Sequence, residues 1–217
     1  MIKWSFSGYK DYENCPKQYY EVRVARNFVK ADTPQTLYGK EVHEACEKYV
    51  RDGVPLQKNY QRFQPVLDAL RDIPGDKYLE HKMALTLDKS PCDFDSPDYW
   101  VRGIADYLNI DGDIAHVADY KTGSARYPEP KQLKLMALMT FANFPKVNRV
   151  NGGLIFLLHN VFIDECYYRE EIPRLWSVFT GTLERVQLSH DTGKWSPNPS
   201  GLCGWCPVDT CTFHRRR

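Results

Sequence analysis

Apolar and polar positions repeat with two different periods along this chain, and the change of period organises it. Residues 7–14 repeat at helical spacing, with Ser7 placed to cap them, and Cys15-Pro16 interrupts the run. A second helical stretch covers 17–25. Residues 36–52 predict a longer helix that Gly53 ends, and 60–72 predict another. The period then shortens. Residues 78–87 read as an apolar strand, and 100–110 and 113–122 flank Asp111-Gly112, a strong hairpin signal. Residues 130–144 predict an amphipathic helix, 149–160 and 161–170 two more strands, and 172–190 a long helix with Pro173 in its first turn. The remaining tail is too rich in Gly, Pro, Asp and Asn to be one regular element. This order predicts a single α/β domain over 1–217, with a mixed central β-sheet flanked by helices. Its parts are a helical segment 1–75, a core 76–170, and a C-terminal helix and cysteine segment 171–217.

Composition narrows the function classes. The 217 residues are 42% hydrophobic and 26% charged, which suits a globular chain, and the 13 Gly and 14 Pro are scattered. The net charge of +1 excludes a uniformly basic nucleic-acid coat but leaves room for a local basic groove. Candidate cations for such a groove are Lys17, Arg23, Arg26 and Lys30, then Arg126 and Lys131, then Arg215, Arg216 and Arg217. Tyr9, Tyr12, Tyr19 and Tyr20 add aromatic rings near the first group, although tyrosines at helical spacing more often pack a core. No apolar run approaches the ~20 residues of a membrane span. The longest, 152–163, is short and carries His159. The first fifteen residues lack an apolar signal region, so a cytoplasmic protein with no membrane partner is expected.

The densest chemistry lies in the hairpin. Asp119 and Lys121 are two apart and point to one face of their strand. Asp106, on the neighbouring strand, can reach that face. Strand centres avoid aspartate, and breaking that preference points to a site. Phosphodiester hydrolysis uses such groups: hard carboxylate oxygens hold a divalent cation, and an ammonium offsets charge that develops on the phosphate. Alone, Asp-x-Lys is a weak signal and reads as a surface ion pair.

The surrounding residues change that balance. Residues 5–20 form a serine-containing, Cys-Pro segment. Gly39 and His43 stand in Gly-x-x-x-His, Glu80 opens the strand before the hairpin, and Gly103-x-x-Asp106 and Asp119-Tyr120-Lys121-Thr122-Gly123 occupy the hairpin. Gln132 follows on the next helix, and Cys203, Cys206 and Cys211 lie in the tail. In this order the chain resembles the PD-(D/E)XK nuclease superfamily, most of all its RecB-like branch with the CRISPR-associated iron–sulfur nucleases and phage exonucleases. The resemblance implies a restriction-endonuclease-like fold and a metal-dependent DNA exonuclease acting on single strands or duplex ends. It implies Mg²⁺ or Mn²⁺ held by His43, Asp106, Asp119 and the backbone carbonyl of Tyr120. It implies catalytic roles for Lys121, Glu80 and Gln132. Met136 departs from the family pattern, which places tyrosine four residues after the glutamine.

Seven cysteines without a secretion signal argue against a disulfide framework. Cys203, Cys206 and Cys211 are clustered as metal ligands are, whereas Cys46, Cys92 and Cys166 read as small buried residues. Four thiolates complete a [4Fe–4S] cluster or a tetrahedral Zn²⁺ site. The resemblance implies the cluster, with Cys15 as fourth ligand, stapling the N-terminal segment to the C-terminal one. Phage-type recombination or DNA processing, beside a single-strand-binding or annealing protein, is the setting this implies. The alternatives are a DNA-end-binding adaptor with an iron–sulfur cluster and little cleavage, working in a larger complex such as CRISPR spacer acquisition, and a zinc-stabilised interaction module.

Overall fold

The computed structural model describes residues 2–215. Helices α1 (Phe6–Asn14), α2 (Pro16–Tyr19), α3 (Pro34–Asp52) and α4 (Gln64–Asp72) come first. Strands β1 (Asp76–Leu85), β2 (Pro91–Cys92), β3 (Val101–Asp111) and β4 (Ile114–Lys121) follow. Helix α5 (Lys131–Asn143), strands β5 (Arg149–Phe156) and β6 (Val161–Tyr168) and helix α6 (Ile172–Thr192) complete the order. The chain forms two compact units. One is Thr33–Trp176; the other joins the two ends, up to Asp32 and from Ser177 onward.

The first unit holds a six-stranded sheet in the order β2-β1-β3-β4-β5-β6. Only β4 and β5 are parallel; the other pairs are antiparallel. The sheet is therefore mixed, as expected, and α5 makes the crossover that a parallel pair requires. Alternation along β4 sorts the layers. Ala118 and Tyr120 join Val42, Cys46 and Tyr49 of α3 and Leu67 of α4 in one core. Asp119 and Lys121 point the other way, to α5. Gly103 of β3 lets α5 approach closely: a Cβ there would lie 2.7 Å from Met136 Cε. Met136 is buried in this contact, so the residue that departs from the family pattern packs the helix on the sheet.

The two chain ends form the second unit. Tyr12, Tyr19 and Val186 are buried together with the half-buried Trp195 against them, and Tyr12 donates its hydroxyl hydrogen to the Arg185 carbonyl at 2.8 Å. The stacking tyrosines considered for DNA contact therefore include three, Tyr9, Tyr12 and Tyr19, that are core residues.

Several local expectations are corrected. Ser5, not Ser7, caps α1, because its hydroxyl accepts from the Gly8 amide. The stretch 17–25 is helical as expected, but as one α-turn, Pro16–Tyr19, continued by a wider π-helical turn over Tyr20–Val24. Residues 61–63 are a tight helical turn before α4. Helix α5 is not amphipathic: Leu133, Leu135, Met136, Ala137, Leu138, Met139, Thr140 and Phe141 are all buried, so core surrounds it over two turns. Strand β2 is too short to leave a periodic signal.

Candidate active site

Five elements of the Thr33–Trp176 unit, α3, β1, β3, β4 and α5, bring the expected residues together. The His43 ring on α3 reaches the end of β4, with Nε2 2.9 Å from the Tyr120 carbonyl and Nδ1 3.3 Å from Asp106 Oδ2. Gly39 makes this approach possible one turn earlier, where a Cβ would lie 3.2 Å from Thr122 Oγ1. The Tyr120 amide donates to Asp106 Oδ2 at 2.8 Å. A side chain thus replaces a ladder bond where β3 and β4 stop pairing, beyond Tyr107 and Ala118. Asp106 and Asp119 stand next in register, an arrangement that sets like charges opposite each other.

Lys121 and Gln132 answer part of that charge. Lys121 Nζ lies 2.6 Å from Asp119 Oδ2 and donates to Gln132 Oε1 at 2.8 Å. Gln132 Nε2 donates to Asp119 Oδ1, closing a three-residue ring between β4 and α5. Oδ2 of Asp119 is enclosed and has this ion pair but no directed hydrogen bond. Burial and the Asp106 charge push the Asp119 carboxyl up from the usual range.

Glu80 is distorted to reach the site. Its φ is +50°, a left-handed backbone that glutamate rarely adopts, in the middle of β1. The β1–β3 ladder pairs Leu79 with Tyr107 and His81 with Ala105 but skips Glu80 and Asp106. The carboxyl of Glu80 is pushed up to about 7, by burial first and by Asp106 and Glu47 next. The His43 imidazole is raised on balance: burial opposes its charge, but the hydrogen bond and charge of Asp106 outweigh burial.

These donors suit a hard cation. One ligand atom each from His43, Glu80 and Asp106 lies within 4.8 Å of the other two, the only such group of three among the described residues. Oxygen donors with one imidazole fit a divalent ion of the Mg²⁺ or Mn²⁺ type. An open cavity of about 380 Å³ adjoins them, lined by Gly39, Lys40, His43, Glu44, Glu47 and Glu80. Glu47 was not anticipated from the sequence. Its signal is position: it follows His43 by one helical turn and so shares its face. Arg51 pairs with it at 2.6 Å.

Four of the cysteines lie in the other unit. Cys15, Cys203, Cys206 and Cys211 line one cavity there, and none is in a disulfide. Backbone amides donate to two of the sulfurs, Asn198 to Cys15 at 3.4 Å and Ser200 to Cys203 at 3.3 Å. The two chain ends are further tied by Asn198 Nδ2, which donates to the Asn14 carbonyl at 3.0 Å. Of the other three, Cys46 is buried as expected; Cys92 is half-buried and Cys166 exposed, against expectation, because both lie on edge strands.

The candidate DNA cations are mostly engaged. Arg23 pairs with Asp11 at 2.6 Å, Lys30 with Asp11 and Lys17 with Glu21, each at 4.0 Å. Arg126 lies over the Tyr127 ring at 5.3 Å, on the loop between Lys121 and Gln132. Arg216 and Arg217 lie outside the described residues. No helix among the described residues is long and apolar enough to cross a membrane.

Comparisons with known proteins agree with the fold. A candidate exonuclease from Eubacterium rectale has a similar fold, with a TM-score of 0.54 and 12% identity over 99% of this chain and 88% of that one. A protein named SSO0001 gives a TM-score of 0.51 and 13% identity over the same shares. At this identity the likeness is one of fold. No curated protein matches the chain. The family model of the PD-(D/E)XK nuclease superfamily matches residues 3–211, through both units. With that match, and with an Asp-x-Lys strand turned toward a glutamine and a His–Glu–Asp cluster beside it, the chain belongs to the PD-(D/E)XK nuclease superfamily.

Proposed function

We propose that the protein is a divalent-metal-dependent deoxyribonuclease that degrades DNA from ends, as single strands or at duplex termini. The observation that supports this best is the joint placement of a cation-binding donor group and an ammonium fixed by two partners. In this reading His43, Glu80, Asp106, Asp119 and the Tyr120 carbonyl hold the cation. When bound, the cation supplies the positive charge that polarises the scissile phosphate. The chain's own residues do the rest. Asp119 and Gln132 fix the Lys121 ammonium in one place, where it orients the attacking water and offsets charge growing on the phosphoryl oxygens. Water forms the new P–O bond as the bond to the leaving sugar oxygen breaks. That oxygen takes up a proton, and the water gives one to solvent or to a neighbouring carboxylate. Arg126 and Lys131, flanking the site on the β4–α5 side, would meet the backbone of the bound strand.

We further propose that the cysteine cavity holds a metal centre. A [4Fe–4S] cluster on Cys15, Cys203, Cys206 and Cys211 is the reading the family resemblance favours, with Zn²⁺ as the alternative. Such a centre would tie the two chain ends, whose contacts through Asn198 are few and exposed. A setting in phage-type recombination is part of the same proposal.

Closed and linear substrates test the exonuclease reading. With Mg²⁺ or Mn²⁺, linear single- or double-stranded DNA should be degraded while covalently closed circles of the same sequence persist. Equal loss of the circles would replace the exonuclease with an endonuclease. A protein that binds ends without degrading either form would be the adaptor instead.

A further inference from the structure

One stripe of α3 runs from the candidate cation site to a residue that the nuclease reading leaves unused. His43, Glu47 and Arg51 follow one another at four-residue intervals and share a face of the helix. His43 belongs to the donor group with Glu80 and Asp106, and Glu47 lines the cavity beside it. Arg51 ends the stripe with both terminal nitrogens engaged. Its Nη1 lies 2.6 Å from Glu47 Oε1, and its Nη2 donates to the Leu79 carbonyl at 3.0 Å.

The second bond falls where β1 is distorted. The Leu79 carbonyl and the Glu80 amide belong to one planar peptide unit. The Glu80 φ of +50° is a rotation about the bond that leaves this unit. A group that holds the Leu79 carbonyl therefore holds the plane from which that rotation starts. Backbone of this kind persists only where its surroundings over-determine it. Strand pairing does not supply that here. The ladder to β3 skips Glu80, and β2 reaches β1 only at Ala84 and Leu85. In an unbroken strand Leu79 and Met83 would share a face. Instead Leu79 packs against the core under α3 and α4, whereas Met83 pairs with Gly103, which faces Met136 of α5. The strand changes faces at Glu80, and Arg51 grips the peptide just before the change.

We propose that Arg51 is a positioning residue that keeps the Glu80 carboxylate at the cation by tying the preceding peptide to α3, the helix that carries His43. This rests on reading His43, Glu80 and Asp106 as the cation site. Charge alone makes the opposite prediction. A guanidinium near a cation site repels the cation, so its removal would tighten binding. Loss of the tie weakens binding instead.

Mn²⁺ alone is the probe, titrated into the anaerobically purified full chain without DNA and followed by loss of the free-ion EPR signal. Arg51→Met keeps the apolar stem and removes the donors; thermal unfolding of the metal-free variant checks the fold. It should bind Mn²⁺ about tenfold or more weakly. Arg51→Gln keeps a donor for the carbonyl without the charge, and should recover part of the loss. In a Glu80→Ala background, Arg51→Met should no longer weaken binding. Unchanged or tighter binding by folded Arg51→Met would overturn the proposal. So would an equal loss with and without Glu80, which would make Arg51 a general support of α3. A wild type that binds no more Mn²⁺ than a His43→Ala, Asp106→Ala double variant would overturn the cation-site reading itself.

Discussion

Glu80 shows how one residue carries the cost of the site. A strand residue held at φ +50°, with a carboxyl pushed up to about 7, is unfavourable unless something at the site uses it. The sign of its effect on stability follows. The folded-state value lies above the unfolded one, so the folded protein holds the proton more tightly. The resulting stability is present below about pH 4.5 and is lost as the pH rises toward 7. Asp119 acts in the same direction. In metal-free protein, Glu80→Gln should flatten the fall of Tm between pH 5 and 7.5, a change that thermal unfolding measures directly. A steeper fall in the variant would contradict the assignment. Because a cation displaces those protons, stabilisation by Mn²⁺ should be larger at pH 8 than at pH 5.5. An imidazole donor suits Mn²⁺ better than Mg²⁺, so turnover in Mn²⁺ should equal or exceed that in Mg²⁺. Clearly slower turnover in Mn²⁺ would count against His43 as a ligand.

Most of this constellation was legible because two-residue spacing on a strand and four-residue spacing on a helix survive folding unchanged. Asp119 and Lys121 do share a face, and Gly39 does open α3 to the end of β4. Glu47 was not legible, because a glutamate one turn from a histidine looks like any solvated residue until β1 lies beside it. The left-handed backbone of Glu80 leaves no mark in the sequence either.

At the scale of elements, α5 decides how well the site is aligned. Its first turn carries Gln132, which holds Lys121, and its next turns rest on Gly103 through Met136 and Met139. Gly103→Val should therefore do two things. Overpacking should lower stability by about 1–3 kcal/mol, measured by denaturant unfolding. It should also lift Gln132 from Lys121 and slow cleavage beyond what the stability loss accounts for. An unchanged rate in the folded variant would show that α5 does not set the position of Lys121. The same helix explains an expectation that failed. An amphipathic helix would keep one wet face, but β1, β4 and β5 pack against this one and none of its residues is exposed. Amphipathicity reports one-sided burial, and α5 is enclosed.

At the scale of the molecule, the sequence order of helices and strands foretold a mixed sheet, because a strand–helix–strand segment must run parallel and the hairpins must not. The joining of both chain ends in one unit depends on contacts about 170 residues apart, such as Tyr12 with Arg185 and Ser189, that no local pattern encodes. Only the family resemblance, which implies Cys15 beside the three tail cysteines, hinted at it.

In the proposed nuclease, the His43–Glu80–Asp106 group holds the cation and the fixed Lys121 ammonium works beside it. The most direct measurement is cleavage of end-labelled single- and double-stranded DNA with Mg²⁺ or Mn²⁺, using anaerobically purified wild type beside Lys121→Ala. Wild type should degrade DNA from ends. Lys121→Ala should bind DNA with similar affinity and cleave it about 10²–10³-fold more slowly. Equal cleavage by both, or a wild type that binds DNA ends and leaves them intact with either ion, would contradict the account.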